Sequence, residues 1–280
     1  MNARLLDGRA LAASILAEAR ASAKRRGRAP RLAIVAAAGG AAGSYLKAKL
    51  SACAAAGVEV SVHRLSPGPR AKTLGLLADL AGDPSVDALI VETPYPRGLS
   101  AADVAAAIPA AKDAEGVTAE GYGRFFLAKS WDEAAGLVGP CTAVALARLA
   151  RSSKVLLAGR RAVVIGRSTT VGRPAAHLLS TFDLTVTLAH SRTKNLASLC
   201  READVLVAAA GVPGLVKPSW IKRGALVLDA GVHLVRGKLV GDVAPGSGKR
   251  AAVMTPVPGG VGPVTTAVAI LQAALLAERR

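Results

Sequence analysis

Aromatic side chains are nearly missing from this sequence: Phe, Trp and Tyr together make up 3% of its 280 residues. A protein that reads nucleic acid by stacking on bases needs them, and no zinc-ligand or RNP spacing stands in, which argues against a direct nucleic-acid reader. Cysteine is equally sparse. Cys53, Cys141 and Cys200 are odd in number and widely spaced, so they form neither a disulfide framework nor a metal cluster. That pattern fits a reducing, cytoplasmic compartment, and no metal is expected. Long hydrophobic runs are lacking as well. The longest, over 264–277, carries Gln272 and falls short of the roughly 20 residues that a membrane helix needs. Residues 1–9 have no signal-peptide profile, so neither export nor a membrane is expected. Internal repeats and low-complexity tails are absent too.

Small apolar residues and positive charge are what the chain does have. Hydrophobic residues make up 51% of it, with Ala very frequent, enough for a sizeable core without aromatics. The formal net charge is +17, with one dense basic cluster over 24–31 (KRRGRAPR) and the rest spread along the chain. An enzyme that gathers polyanionic small molecules accounts for this better than a nucleic-acid reader does; a solvated basic surface is the plain alternative.

The segment that organises the chain is RAVVIGRSTTVGRP, over 161–174. Ala162 to Ile165 read as a short buried strand that breaks at Gly166 into a small polar turn. Gly172, Arg173 and Pro174 then open a helix. Backbone N–H groups at such a turn, with the helix dipole behind them, favour a phosphate. The spacing is Gly-x-x-x-x-x-Gly rather than Gly-x-Gly-x-x-Gly, so the turn alone does not separate a dinucleotide site from an ordinary strand–helix connection. The next strand, 184–189, ends in His190-Ser191-Arg192-Thr193-Lys194, with no acid to bond ribose hydroxyls. A hydroxyl and cations there suit a 2′-phosphate, with Arg167 as a further positive contact, so the pattern favours NADP over NAD.

Upstream, strands are expected over 31–38, 58–65 and 86–91, alternating with helices over 11–24, 44–56 and 73–81. This βαβαβ pattern predicts parallel strands with helices on the faces. Its carboxyl rim gathers the Gly-rich turn 39–43 and the loop that begins at Glu92. Tyr45 and Lys49 are four apart at the start of the helix leaving that rim. Glu92 and Glu115 can reach the same rim, and a lysine amid carboxylates shuttles protons if desolvated, although an ion pair holds it charged. The chain changes character around Pro140-Cys141-Thr142, with Thr142 a candidate N-cap for a helix over 143–150. Further strands follow over 204–209 and 225–229, then a long apolar helix over 265–278. Between them, Thr255-Pro256-Val257-Pro258-Gly259-Gly260-Val261-Gly262-Pro263 holds three Gly and three Pro in nine residues. That density favours a loop shaped to approach a flat ligand, with Pro263 in the first turn of the last helix.

In order and density these motifs resemble one family over nearly the whole chain: Leu6-Asp7-Gly8, Tyr45-x-x-x-Lys49, Pro94-x-Pro96, Lys112-Asp113-x-x-Gly116, Pro140-Cys141-Thr142, Gly166-Arg167-Ser168-x-x-Val171-Gly172-Arg173-Pro174, His190 to Leu196, Gly241-Asp242-Val243, and Pro258 to Pro263. The sequence is similar to the bifunctional methylenetetrahydrofolate dehydrogenase/cyclohydrolases. The resemblance implies an α/β fold of two domains flanking a cleft: a folate-binding catalytic domain over 1–139, onto which the last helix (265–280) packs back, and a Rossmann-like NADP-binding domain over 140–264. A homodimer joined through the cofactor domain is implied too. Tetrahydrofolate derivatives would contact Tyr45, Lys49, Pro94, Tyr95, Pro96, Pro258, Gly259 and Gly260, with Glu115 on the pterin. NADP would lie along Gly166, Arg167, Ser168, Ser191 and Arg192, with Val232 on the nicotinamide side. Lys49, Tyr45, Glu92 and Glu115 are the implied catalytic set. The implied reactions are oxidation of methylenetetrahydrofolate and hydrolysis of the methenyl product to 10-formyltetrahydrofolate.

The family normally has Gln at the position of Glu92, Asp at that of Glu115, Ser at that of Ala42, and Pro and Gly at those of Ala143 and Ala145. A glutamate at 92 that pairs with Lys49 would hinder proton transfer, while hydride transfer needs mainly alignment. Two alternatives follow: a divergent paralogue that is dehydrogenase-only or acts on a related reduced pterin, and a non-catalytic protein that binds anions or nucleic acid on the same fold.

Overall fold

The computed structural model describes residues 3–38, 42–96 and 98–279, with the side chains of 42–45 left aside. The first elements are β1 (Arg4–Leu5), α1 (Gly8–Arg25), β2 (Arg31–Ala37), α2 (Ala42–Ala56), β3 (Glu59–Leu65), α3 (Arg70–Gly82), β4 (Ala88–Val91), α4 (Ala101–Ala107), α5 (Ala119–Leu127), α6 (Trp131–Ala135) and α7 (Cys141–Ser152). There follow β5 (Arg161–Ile165), α8 (Gly172–Ser180), β6 (Thr185–Ala189), α9 (Leu196–Glu202), β7 (Val205–Ala208), β8 (Leu226–Asp229), β9 (His233–Val235), β10 (Lys238–Val240), β11 (Val253–Met254) and α10 (Val261–Glu278). Contacts divide the chain into a three-stranded unit, residues 13–127 with 266–280, and a six-stranded unit, residues 1–12 with 128–265.

The three-stranded unit has the order β3-β2-β4, and both pairings are parallel. The central strand and β4 read as unbroken apolar runs because both of their faces are covered. Ala33, Val35, Leu89 and Val91 pack with Leu77, Leu80, Val104 and Ile108 into one core. Two arginines of the basic cluster are paired at the amino end of this sheet. Asp87, 1% exposed, binds both Arg26 and Arg28 and accepts the backbone N–H of Arg31 at 2.8 Å. Burial alone would raise its pKa, but the guanidiniums and that N–H outweigh burial and hold it below its ordinary value. The last helix is tied to this unit by a Gln272 amide donating to the Ala114 carbonyl at 2.8 Å and by Glu278, which accepts from Ser22 and Arg25.

The six-stranded sheet runs β1-β11-β8-β7-β5-β6, parallel throughout. Because β6 and β7 lie on opposite sides of β5, strand order reverses at β5, the position where ligands gather in a doubly wound sheet.

Several elements depart from the sequence-based expectation. Thr142 does not cap α7: the helix starts at Cys141 behind Pro140, no side chain caps it, and the Pro140 carbonyl takes the Val144 N–H at 3.1 Å. Strands β1 and β11 have two residues each, too few to show a period, yet they pair across the length of the chain. That pairing places the N-terminal residues in the six-stranded unit rather than in a first domain over 1–139. Residues from 128 onward join the same unit, where Trp131 packs on Phe182 with ring centroids 5.3 Å apart and under the Arg151 guanidinium at 5.2 Å. The last helix begins inside the Pro–Gly loop, at Val261. With 18 residues it is long and apolar enough to cross a membrane by length and composition, and 72% of it is buried inside the protein.

Candidate functional site

In the three-stranded unit, one lysine and two glutamates meet at the carboxyl end of the sheet. Lys49 sits in α2, which follows β2. Glu92 is the first residue past β4, and its backbone N–H extends the ladder to the Val35 carbonyl at 2.8 Å. The Lys49 Nζ lies 2.5 Å from Glu92 Oε1 and 3.6 Å from Glu115 Oε1. Both members of the shorter pair are buried, with 10% and 8% of their side chains exposed, against 26% for Glu115.

The loop that carries Glu115 is fixed by Lys112 and Asp113 just before it. The Lys112 ammonium is buried and donates to the carbonyls of Leu80 and Asp83, at 3.1 and 2.6 Å, where α3 leaves carbonyls without intrahelical partners. The buried Asp113 carboxylate accepts the backbone N–H groups of Glu115, Val117 and Thr118, at 3.2, 2.8 and 2.8 Å. The Lys-Asp motif is therefore a clamp, and Glu115 is the side chain it presents. Burial pushes the Glu115 carboxyl above its ordinary range; Lys49 opposes the rise, while Glu92 and Asp113 add to it. Tyr95, half-buried between Pro94 and Pro96, has its phenol pKa raised by burial and then by the charges of Glu115 and Asp113, so it belongs to the same neighbourhood. The Thr93–Pro94 peptide is cis, Pro94 is exposed and Pro96 is buried. One turn past Lys49, burial pushes the Cys53 thiol up to about 12 against the pull of Lys49, which leaves it inert. The Tyr45 side chain and the turn residues 39–41 lie outside the described residues, and so does the side chain of Ala42.

In the six-stranded unit, the turn between β5 and α8 is held by close backbone approach. A Cβ on Gly166 (φ 118°) would stand 2.0 Å from the Ala209 carbonyl oxygen, and one on Gly172 would stand 1.9 Å from the carbonyl oxygen of Gly166. Ser168 closes the turn, its hydroxyl accepting from the N–H groups of Val171 and Gly172 at 3.1 and 3.4 Å. The adjacent strand ends in a second turn, where the His190 N–H meets the Thr193 hydroxyl at 2.9 Å and the Arg192 N–H meets His190 Nδ1 at 3.2 Å. Ile165 and Ala189 are paired at the ends of the two strands, so Arg167 and Ser168 stand beside Ser191 and Arg192 on one rim. All four are exposed, and among the described residues neither guanidinium has a carboxylate partner. This arrangement suits a dinucleotide with an additional phosphate.

The contacts of two buried aspartates nearby escaped sequence reasoning, although Gly241-Asp242-Val243 stood among the motifs. Asp229, at the end of β8, accepts the N–H groups of Gly231, Asp242 and Val243. Asp242 accepts those of Ala210 and Gly211, at 2.6 and 2.9 Å, and pairs with His233 Nε2 at 2.7 Å. Together they knit the loops after β7 and β8 to the β9–β10 hairpin and so fix Val232, which stays 40% exposed. The Gly-Asp pair at 241–242, thirteen residues after an Asp-x-Gly, was the available signal. The Pro–Gly loop also has a packing role. The Gly8 N–H donates to the Gly259 carbonyl at 2.8 Å, and a Cβ on Gly8 would lie 1.9 Å from the Gly260 oxygen, which accounts for Leu6-Asp7-Gly8 without a ligand. Pro258 is exposed, whereas Gly259 and Gly260 are buried.

Comparison with known proteins agrees with this division of labour. Residues 6–115 match the catalytic domain of tetrahydrofolate dehydrogenase/cyclohydrolase, and residues 140–280 match the NAD(P)-binding domain of the same enzymes. The bifunctional protein FolD of Parafrankia sp. (strain EAN1pec) is 44% identical over 94% of this chain and 95% of its own. FolD 1 of Rubrobacter xylanophilus is 41% identical over 99% of both. The crystal structure of Trypanosoma brucei methylenetetrahydrofolate dehydrogenase-cyclohydrolase, complexed with NADP cofactor and inhibitor, superposes with a TM-score of 0.90 at 33% identity, covering 100% of this chain and 98% of that one. With both of its parts matched and identity above 40% along almost its full length, the chain belongs to the tetrahydrofolate dehydrogenase/cyclohydrolase family.

Proposed function

We propose that the chain oxidises methylenetetrahydrofolate with NADP and hydrolyses the resulting methenyltetrahydrofolate to 10-formyltetrahydrofolate. The observation that carries this reading is the buried Lys49–Glu92–Glu115 cluster at a sheet's carboxyl rim, in a member of this family. Bound at the six-stranded sheet, NADP supplies the hydride acceptor. Gly166 lets the backbone approach it closely, Arg167, Ser168, Ser191 and Arg192 offer donors to its phosphates, and Val232 lies on the nicotinamide side. On the three-stranded unit, Glu115 faces the pterin. Burial raises its pKa, so this carboxyl holds a proton more firmly than an exposed glutamate does. Tyr45, Pro94, Tyr95 and Pro96 flank the folate, and Pro258, Gly259 and Gly260 complete its contacts. Lys49 serves the hydrolysis, orienting the attacking water and handling its proton.

The enzyme is a cytoplasmic homodimer that neither enters a membrane nor binds nucleic acid. Three buried free thiols, a last helix sunk in the protein, and a basic cluster in which Arg26 and Arg28 are paired with Asp87 support this. The exposed Leu234, Val235 and Leu239 of the β9–β10 hairpin favour pairing through the cofactor unit.

The test is NADPH formation from methylenetetrahydrofolate, followed by loss of methenyl absorbance. Production of NADPH with formyl product is expected; a purified, folded protein that makes none removes the reading.

A further inference from the structure

We infer that Glu92 sets how the enzyme divides its methenyl product between release and hydrolysis, by holding Lys49 as an ammonium. This rests on the activity proposed above and concerns the same site. The two reactions make opposite demands on charge. In the oxidation, a hydride leaves the one-carbon bridge with its electron pair, and a neutral substrate becomes an amidinium cation. In the hydrolysis, a water oxygen bonds to that carbon and the carbon–N5 bond breaks. One water proton ends on N5 and the other must leave the site. A carboxylate beside the bridge stabilises the cation as it forms. A lysine that already carries its proton cannot take the one the water gives up.

The geometry favours the first reaction over the second. Lys49 and Glu92 are 2.5 Å apart and both buried, so each compensates the other's desolvation. Glu115, at 3.6 Å, adds a second carboxyl on the same ammonium. The other titratable groups facing this cluster do not displace the proton. The Cys53 thiol is pushed up to about 12 and stays neutral, Asp113 adds to the rise of Glu115, and the Tyr95 phenol is raised by burial and by the charges of Glu115 and Asp113. Glu92 is thus a positioning residue for a charge: it acts on the water step through Lys49.

The experiment compares wild type with Glu92→Gln and Glu92→Asp, following NADPH formation and methenyl hydrolysis separately between acid and alkaline pH. In wild type, hydrolysis should climb with pH as Lys49 gives up its proton. In Glu92→Gln its midpoint should fall by about 1–3 pH units, the usual effect of removing one close opposite charge, and the neutral-pH hydrolysis rate should rise about tenfold or more. Oxidation should fall severalfold in the same variant, and Glu92→Asp should keep the wild-type hydrolysis profile. Carbon NMR titration of the Lys49 ε-carbon in the ligand-free protein should show the same shift without any turnover. An unmoved midpoint in Glu92→Gln overturns the inference, and so does loss of hydrolysis in Glu92→Gln with retention in Glu92→Asp, which would make Glu92 itself the proton acceptor. Failure of wild type to make NADPH would instead count against the activity, while the NMR titration still reads the charge on Lys49.

Discussion

The two regions proposed to bind and react are built on opposite plans. At the Lys49 cluster the working groups are buried side-chain charges that neutralise one another, and their chemistry depends on which side chain stands at each position. At the turn after β5 the working surface is backbone, with glycines where a Cβ would strike a carbonyl and exposed cations beside it that no described carboxylate occupies. A charge swap should therefore be decisive in the first region and graded in the second, and an added methyl group the reverse.

The largest effect is expected at the lysine. Lys49→Ala should lower methenyl hydrolysis by about 10²–10⁴-fold, the range for losing a positioned proton-transfer group. It should also destabilise the fold by about 3–5 kcal/mol, because Glu92 is left buried without its partner. Rates of methenyl decay and a denaturant titration read the two separately. A rate within twofold of wild type would mean that the cluster is structural and the contrast between the regions is wrong.

Gly172→Ala breaks the comparison from the other side. Its Cβ would fall 1.9 Å from the Gly166 carbonyl oxygen, so the turn must move, at about 1–3 kcal/mol for an overpacked contact. The expected result is a large rise in KM for NADP with KM for the folate little changed. Equal increases in both would show that the turn is not a separate dinucleotide element. Arg192→Ala should act more mildly, weakening NADP about tenfold, as fits one charge-assisted hydrogen bond, and leaving NAD nearly untouched. Binding of the two cofactors, titrated in parallel at low and high salt, measures that preference; equal losses for NADP and NAD would move the 2′-phosphate elsewhere.

What was legible in the sequence follows the same contrast. Strand–glycine–helix patterns are local, so β5, the turn at Gly166 and the opening of α8 could be read directly, as could the apolar runs of β2 and β4. Lys49 could be picked out by its position on a rim. Pairings between distant residues could not. Asp87 pairs with arginines about sixty positions upstream, and no local pattern links the basic cluster to it. The carbonyl partners of Lys112, about thirty positions upstream, and the pairing of the two-residue strands β1 and β11 are invisible for the same reason, and the motif at Asp242 did not reveal its tie to Asp229. Thr142 misled because a proline one residue before the helix set its start. The proton affinity of Glu115 comes first from burial, a property of packing rather than of residue type.

The smallest effect is expected at a charge that resembles those of the cluster in partner type but not in burial. Glu278 lies at the exposed end of α10 and accepts from Arg25 at 2.6 and 2.9 Å and from Ser22. Its hydrogen bonds, first to Arg25 and then to Ser22, lower its carboxyl from 4.5 to about 2. A carboxyl whose folded pKa is depressed stabilises the fold above the unfolded value, so its contribution is complete above pH 4.5 and disappears as pH falls toward 2. Being exposed, it is also screened by salt. Glu278→Gln should therefore lower Tm slightly at neutral pH, less in high salt, and not at all at the acid end. Turnover should stay at the wild-type level. Because α10 also reaches the Glu115 loop through Gln272, a changed hydrolysis rate at unchanged Tm would mean that the surface pair and the buried cluster are one system, and the contrast between exposed and interior charge would have to be redrawn.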